Sequence, residues 1–185
     1  MLGLAAACHG SRADLSATPA SGTIAPASAT TLDKVWLLEA SGAPVPDTSV
    51  TFAATTGRTI VLRHAPPDDA IFLILDFPTV TDTMHARDSV HVRVHPVAGK
   101  YAFELVTTDK LPGNASAIFS YAVHFRAPAG ASVKYPSAGK FEQALAPAEL
   151  GAANKVQFIG GVRPAADVVR FPVAAAGSYA LVAAR

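Results

Sequence analysis

Histidine is the residue of this 185-residue chain with the most obvious capacity for chemistry, and there are six of them. Neutral imidazole is a common ligand of zinc and copper. His91 and His95 lie on one face of an alternating segment that reads Ser-Val-His-Val-Arg-Val-His. Arg93 stands between them, and its permanent positive charge opposes a bound cation. The pattern favours a solvated strand face, with a zinc or copper site at His91 and His95 as the alternative.

Two other histidines lie near the ends of predicted strands. His64 comes just before Pro66-Pro67, and His124 precedes Phe125 at the end of an alternating segment. Each could complete a metal site only through tertiary contacts, which sequence spacing does not reveal, and no His-Glu-x-x-His pattern occurs. The sequence therefore predicts no metal and no other cofactor.

Four aspartates, Asp68, Asp69, Asp76 and Asp82, flank the apolar run 71–75. Calcium takes six or more oxygen ligands and is held by loop carboxylates in some envelope β-sandwiches. No EF-hand or repeated Asp spacing is present, however. Turn formation, in which Asp bonds its own downstream backbone, is the favoured interpretation.

Catalytic motifs are weak or missing from the sequence. Ser137-Ala-Gly-Lys140 matches the bare Ser-x-x-Lys pattern of penicillin-binding enzymes, but Gly139 lies inside it and neither Ser-Asp-Asn nor Lys-Thr-Gly follows. There is no Gly-x-Ser-x-Gly elbow, no Gly-rich phosphate loop and no concentration of paired carboxylates. We therefore predict that the protein is not an enzyme and has no catalytic residues. We expect a binding or structural module instead. A secreted metal-binding protein or metal-dependent hydrolase that uses surface histidines is the alternative.

One segment combines aromatic, imidazole and guanidinium groups at the end of a predicted strand. It runs from residue 121 to residue 128, and with Tyr135 it provides a candidate binding patch formed by His124, Arg126 and Tyr135. Loops at strand ends are where sandwich folds place binding functions. The expected partner is a protein or a glycan.

The elements that must position these groups are strands. From Leu32 onward apolar residues recur with period two between Pro, Gly and Asp, which predicts an antiparallel β-sandwich of about ten strands. The predicted strands are 34–38, 49–53, 59–64, 71–76, 89–95, 101–107, 117–125, 155–159, 168–173 and 179–183. The best helix candidate is Lys140 to Leu150, which Pro147 limits to one or two turns.

A weak internal repeat relates residues 88–101 to residues 167–179. Each copy runs from a strand through small residues to Gly-x-Tyr, at Gly99 and Gly177. This Gly-x-Tyr start resembles those of immunoglobulin-like, fibronectin-like and transthyretin-like sandwiches, and residues 57–68 are similar to ZU5-type segments. The resemblance implies one antiparallel sandwich over residues 32–185. Two small sandwiches that meet near residues 112–114 are the alternative.

The composition of the chain argues against a nucleic-acid partner, against disorder and against disulfide bonds. The formal net charge is +1 and the isoelectric point is near 7.9, so the chain has no strong field toward nucleic acid. Half of the residues are hydrophobic and 16% are charged, which excludes disorder for the bulk of the chain. A single cysteine excludes an internal disulfide. The oligomeric state stays open.

That cysteine, Cys8, follows Met1-Leu-Gly-Leu-Ala-Ala-Ala, an apolar run that ends in small residues. The run resembles the end of a bacterial lipoprotein signal peptide, although Ala5 replaces a larger aliphatic residue and no basic segment precedes it. The resemblance implies that residues 1–8 are a signal remnant whose true start lies upstream, and that Cys8 carries the lipid.

A stretch rich in Ser, Ala, Thr and Pro covers residues 9–31 and predicts a flexible tether. His9, in place of Asp, resembles the outer-membrane-sorted class. We therefore expect a membrane-anchored protein of the cell envelope that faces the periplasm or the exterior. A frayed N-terminus with an idle thiol is the alternative.

Overall fold

The strands of the protein dominate its computed structural model, which describes residues 22–79, 89–107, 110–111 and 113–185. Within these ranges there are sixteen strands and one short α-helix, so the predicted all-β fold is confirmed. The strands are β1 (Gly22–Ile24), β2 (Thr30–Thr31), β3 (Val35–Leu37), β4 (Glu39–Ala40), β5 (Thr48–Phe52), β6 (Arg58–Arg63), β7 (Ile71–Phe77), β8 (Val90–Pro96), β9 (Ala102–Thr107), β10 (Ser116–Ser120), β11 (Phe125–Arg126), β12 (Ala146–Leu150), β13 (Lys155–Phe158), β14 (Gly161–Ala165), β15 (Val168–Pro172) and β16 (Gly177–Ala184). The helix is α1 (Ala138–Gln143), and 3-10 turns cover Leu32–Lys34, Ala131–Val133 and Ala152–Asn154.

Two antiparallel sheets form the sandwich. The six-stranded sheet has the order β1-β14-β15-β10-β7-β6. The eight-stranded sheet has the order β2-β13-β12-β16-β9-β8-β5, with β3 also paired to β16, and β4 and β11 form a separate two-stranded ribbon. Strands from both sides of residues 112–114 pair directly, since β10 pairs with β7 and β16 pairs with β9. The alternative of two small sandwiches therefore does not hold.

Aromatic rings fill the space between the sheets. Phe72 on β7 stacks on Tyr101 with 5.2 Å between ring centroids, and Phe103 on β9 meets Phe119 on β10 edge-on at 5.7 Å. All four side chains are at most 1% exposed. Rings of this size supply most of the buried apolar area that a sandwich of short strands needs.

The alternation that predicted β8 is present in the structure. Val90, Val92 and Val94 are buried, whereas His91 and Arg93 are exposed. Three valines thus face the other sheet, and the polar side chains lie on the outer face. This arrangement is the one expected of a strand with one solvated face.

The N-terminal boundary of the domain differs from the prediction. Residues 22–31, expected to belong to the tether, contribute β1, which pairs with β14, and β2, which pairs with β13. Ile24 packs against the core. The surrounding composition of Ser, Ala and Pro hides these few β-forming residues when the segment is judged by its average. Cys8 and residues 9–21 lie outside the described residues.

The predicted helix at Lys140 to Leu150 is only half correct. Helix α1 ends at Gln143, and the second half is β12, which pairs with β13 and β16. Pro147 is tolerated there because it lies at the end of the β13 pairing. Its carbonyl accepts from the Ile159 amide at 2.9 Å, and only the reciprocal bond, for which proline has no N–H, is missing.

The predicted strand 117–125 stops early. Strand β10 ends at Ser120, Val123 is 72% exposed, and Phe125 begins the separate ribbon strand β11. Tyr121 ends the strand because its amide donates to the Asp167 carbonyl and its hydroxyl donates to the Ala166 carbonyl at 2.8 Å. The chain turns away at that point, although the apolar alternation continues.

The internal repeat has no structural counterpart. Strands β8 and β9 form a hairpin within one sheet, whereas β15 and β16 belong to opposite sheets. Gly99 has a φ of 69°, in the left-handed region that favours glycine, whereas the φ of Gly177 is 159°, which is close to extended backbone. Tyr179 bridges its own corner by donating to the Ala175 carbonyl at 2.8 Å, a device known from sandwich corners.

Arg163 on β14 ties three separate segments together. Its guanidinium donates to the carbonyls of Glu142, Leu145 and Ala166 at 3.1, 2.9 and 3.0 Å, and to the hydroxyl of Tyr121. Burial raises the pKa of Tyr121 to about 12 in spite of this cation. The C-terminal end of α1 is thereby fixed to the β14–β15 hairpin.

We expect Arg163→Met to lower the free energy of unfolding by about 2–4 kcal/mol, because several carbonyls would lose a charged donor. Arg163→Lys should recover only part of the loss, since an ammonium group cannot reproduce the planar fork. Urea denaturation measures both. Arg58→Met, on the exposed edge strand β6, is the matched control, and an equal loss in that variant would contradict the assignment.

Candidate metal centre

Three ligand-type side chains meet at one end of the sandwich, where the β6–β7 loop lies against the β4–β11 ribbon. His64 directly follows β6, Asp68 lies in the loop, and His124 directly precedes β11. A cis peptide bond joins Pro66 and Pro67 between the first two. One ligand atom from each of the three side chains lies within 4.8 Å of the other two.

His64 has a defined tautomer. Its Nδ1 lies 2.6 Å from the carbonyl oxygen of Ala43. A carbonyl oxygen can only accept, so Nδ1 carries the proton, and Nε2 of the neutral ring bears a lone pair. The side chain is 2% exposed, and Nε2 has no hydrogen-bond partner among the described residues. An orphaned buried acceptor is costly unless something fills its lone pair.

His124 packs against His64 with 4.2 Å between ring centroids. Its Nε2 lies 2.6 Å from the Oδ2 atom of Asp68, a close contact in which the two atoms form no regular hydrogen bond. Both Nε2 atoms are inaccessible to solvent, whereas the Asp68 side chain is 21% exposed.

The donor set suits a first-row transition metal. Two imidazole nitrogens with one carboxylate oxygen are ligands typical of zinc, copper and iron, whereas calcium and magnesium prefer oxygen alone. The bond from His64 to Ala43 is also the outer contact that metal-bound histidines usually make through their second ring nitrogen. The residues present therefore fit a metal ion.

The backbone around the cluster is held by two hydrogen bonds, and the ring of His64 by an aromatic contact. The Ser41 amide donates to the His124 carbonyl at 3.0 Å, and the His64 amide donates to the Ala70 carbonyl at 2.9 Å. Phe72 meets the His64 ring edge-on at 5.7 Å. Burial raises the pKa of Tyr101, which stacks on Phe72, and the negative charge of Asp68 adds to the effect.

An ion-pair network fixes the ribbon that carries His124. Glu39 on β4 accepts from Lys100 Nζ at 2.9 Å and from Arg126 Nε at 2.8 Å. The Lys100 bond is the main reason why the pKa of Glu39 lies below its usual range, and Arg126 adds to it. Arg126 is two residues from His124, so this network restrains the position of that ligand.

The alternative histidine pair does not form a site. Nδ1 of His91 lies 2.9 Å from Thr51 Oγ1, and Nδ1 of His95 lies 2.7 Å from Asp47 Oδ2. Four residues of extended strand separate two Cα atoms by about 13 Å, too far for one ion to bridge the two rings. Among the described residues, the cluster at His64 is the one group of three or more ligand-type side chains close enough for a metal.

The predicted binding patch is divided among different partners. His124 contacts Asp68, and Arg126 pairs with Glu39. Tyr135 instead donates to the Ala184 carbonyl at 2.7 Å and packs edge-on against Phe141. Of the three predicted residues, His124 alone belongs to the cluster.

The acidic residues and Ser137 also have individual roles. Asp76 accepts from Thr59 at 3.0 Å, and Asp69 has a φ of 55°, which is typical of turns. Asp68 is the one that joins the cluster, and Asp82 lies outside the described residues. Ser137 caps α1 by accepting from the Lys140 amide, which is a structural use of the Ser-x-x-Lys pattern.

Comparisons with known proteins add no evidence about this cluster. No protein-family model, curated protein or solved structure matches the chain. Within the part of the chain that the structure describes, no helix has the length and apolar character needed to cross a membrane.

The Glu39 network makes stability depend on pH. Because the folded-state pKa of Glu39 is depressed from 4.5, its ion pairs stabilise the fold above that pH, and the contribution is lost as the pH falls through the folded-state value. Glu39→Gln should lower the free energy of unfolding by about 1 kcal/mol at pH 7. The difference from the wild type should shrink toward pH 3.

Urea denaturation at several pH values measures this difference. Glu104→Gln, at an exposed position on β9, serves as the control and should show no such convergence. A deficit of Glu39→Gln that stays constant from pH 7 to pH 3 would refute the role of the ionised carboxylate.

Proposed function

We propose that this protein is a metal-binding module that holds one first-row divalent cation, with zinc the foremost candidate, between His64, Asp68 and His124. The observation that carries the proposal is the Nε2 lone pair of His64, which is fixed by the bond to Ala43, buried, and without a hydrogen-bond partner among the described residues. A cation placed among the three side chains fills that lone pair and neutralises the Asp68 carboxylate.

A simple ion pair between protonated His124 and Asp68 is the competing explanation. It accounts for the 2.6 Å contact of these two groups. It leaves Nε2 of His64 buried and without a hydrogen-bond partner among the described residues. A bound metal accounts for all three side chains at once, so it is the interpretation we favour.

The proposed role is binding and not catalysis. A catalytic zinc keeps one coordination position open to water or substrate. Three protein ligands leave such a position free, but both imidazole nitrogens here are inaccessible to solvent and the cluster abuts buried Phe72, which restricts the access of a substrate. These features support a module that retains a metal.

Zinc binding provides the test. We expect the purified protein, stripped with chelator and then titrated, to bind one Zn²⁺ per chain, and its melting temperature to rise with zinc. The stabilisation should reach about 2.7 kcal/mol when free zinc is one hundred times its dissociation constant.

His64→Ala, Asp68→Ala and His124→Ala should each weaken zinc binding at least tenfold. The double variant His91→Ala/His95→Ala removes as many imidazoles from the outer sheet face and should bind zinc like the wild type. Zinc binding that is absent from the wild type, or that disappears only in the double variant, would refute the proposal.

We also propose that the module is a lipid-anchored protein of the bacterial envelope, attached at Cys8. The supporting observation is the order of residues, in which a Leu-rich and Ala-rich run leads directly to the one cysteine and is followed by Ser-rich and Pro-rich sequence. Acyl chains contribute about 0.8 kcal/mol of membrane affinity per buried CH₂ group, so two or three chains would anchor the domain stably.

Detergent partitioning tests the anchor. The protein, expressed behind a complete lipoprotein signal peptide in a bacterial host, should enter the detergent phase and incorporate labelled fatty acid. Cys8→Ser should remain in the aqueous phase without label. Ser16→Cys/Cys8→Ser, which moves the thiol along the same segment, is the matched control and should also stay aqueous. Equal partitioning of all three proteins would rule out anchoring at Cys8.

A further inference from the structure

The segment Ser41–Ala43 contacts both histidines of the cluster through its backbone. The Ser41 amide holds the backbone of His124, and the Ala43 carbonyl holds the ring of His64. Gly42 lies between these two contacts, directly against both imidazoles. One short piece of chain therefore sets the position of two of the three proposed ligands.

Gly42 is not required by the conformation of its own backbone. The glycines with positive φ among the described residues are Gly57, Gly99 and Gly177, and Gly42 is not one of them. An L-residue can therefore adopt its backbone angles. The requirement at this position is space.

A side chain at Gly42 would collide with both rings. A Cβ atom built there lies 2.7 Å from Nδ1 of His64 and 2.8 Å from Cδ2 and Cγ of His124. Neither ring can yield easily. His64 is fixed by its bond to Ala43 and by Phe72 on its edge, and His124 packs against His64. A methyl group would therefore displace at least one imidazole.

We infer that Gly42 is a positioning residue of the metal site: the absence of a side chain there lets both imidazoles reach the geometry that a single metal ion needs. The inference rests on the proposed function and deepens it, because it identifies a determinant of metal affinity that has no donor atom of its own. Supporting contacts of this kind typically change metal affinity by about 10- to 100-fold when they are lost.

The test is Gly42→Ala, compared with Gly22→Ala. A Cβ atom at Gly22 has no other atom within 4 Å, so the same methyl group is added there in open space. Zinc affinity is measured by competition with a chromophoric chelator, and the urea midpoint of each chelator-treated protein shows whether it is folded. We expect Gly42→Ala to bind zinc at least tenfold more weakly than the wild type, and Gly22→Ala to match the wild type.

Cobalt(II) spectra separate positioning from a general loss of stability. The visible d–d bands of the cobalt-substituted protein report the arrangement of its ligands. They should shift in Gly42→Ala and stay unchanged in Gly22→Ala. Wild-type zinc affinity and an unshifted spectrum in Gly42→Ala would overturn the inference while leaving the proposed function intact. A wild-type protein that binds neither metal would instead refute the proposed function itself.

A double-mutant cycle covers the case in which Gly42→Ala fails to fold. His124→Ala removes one of the two rings that the new methyl group would strike. Adding Gly42→Ala to His124→Ala should therefore lower the urea midpoint by less than adding it to the wild type. An equal loss in both backgrounds would show that the rings are not what Gly42 accommodates, and the inference would fail.

Discussion

The aromatic layer between the two sheets is the constraint on which the rest of the molecule depends. Phe72 on β7 stacks on Tyr101, which directly precedes β9 of the opposite sheet, and Phe103 on β9 meets Phe119 on β10 edge-on. Short strands bury little area each, so these rings hold the sheets at a fixed separation. His64 meets the edge of Phe72. The two histidines of the candidate metal centre therefore lie against the end of the core, and Asp68 joins them from the β6–β7 loop.

Polar groups at this end of the sandwich are arranged in two tiers. The outer tier is the Glu39 network, which is partly solvated and joins the β4–β11 ribbon to Lys100. The inner tier is the pair of imidazoles of His64 and His124, whose Nε2 atoms are inaccessible to solvent. In the outer tier Glu39 is paired with two cations, whereas in the inner tier the Nε2 atoms of both imidazoles have no hydrogen-bond partner among the described residues. A bound cation would provide that partner.

Sequence alone predicts the sandwich well and the site poorly. Alternation such as that of β8 reflects a purely local property, the two faces of one strand, so the all-β fold and most long strands could be read from it. Strand β12 was missed because the composition of Ala-Pro-Ala does not indicate a strand. The segment is a strand because it pairs with the strands on either side of it. The cluster was missed because His64 and His124 lie sixty residues apart in the chain, and because His124 is positioned by the pairing of β11 with β4, which is also remote in sequence. The remaining local hint, a histidine and an aspartate on either side of Pro-Pro, also describes an ordinary turn.

The first segment that the structure describes pairs with both sheets, since β1 belongs to one sheet and β2 to the other. Only three residue pairs join β1 to β14 and two join β2 to β13. A mechanical load applied to the chain before Gly22 would act on these few pairs in sequence, so the edges would unzip before the force reached the aromatic layer. This N-terminal segment would thus detach and extend under tension, while the core and the end of the sandwich that holds His64 stay folded.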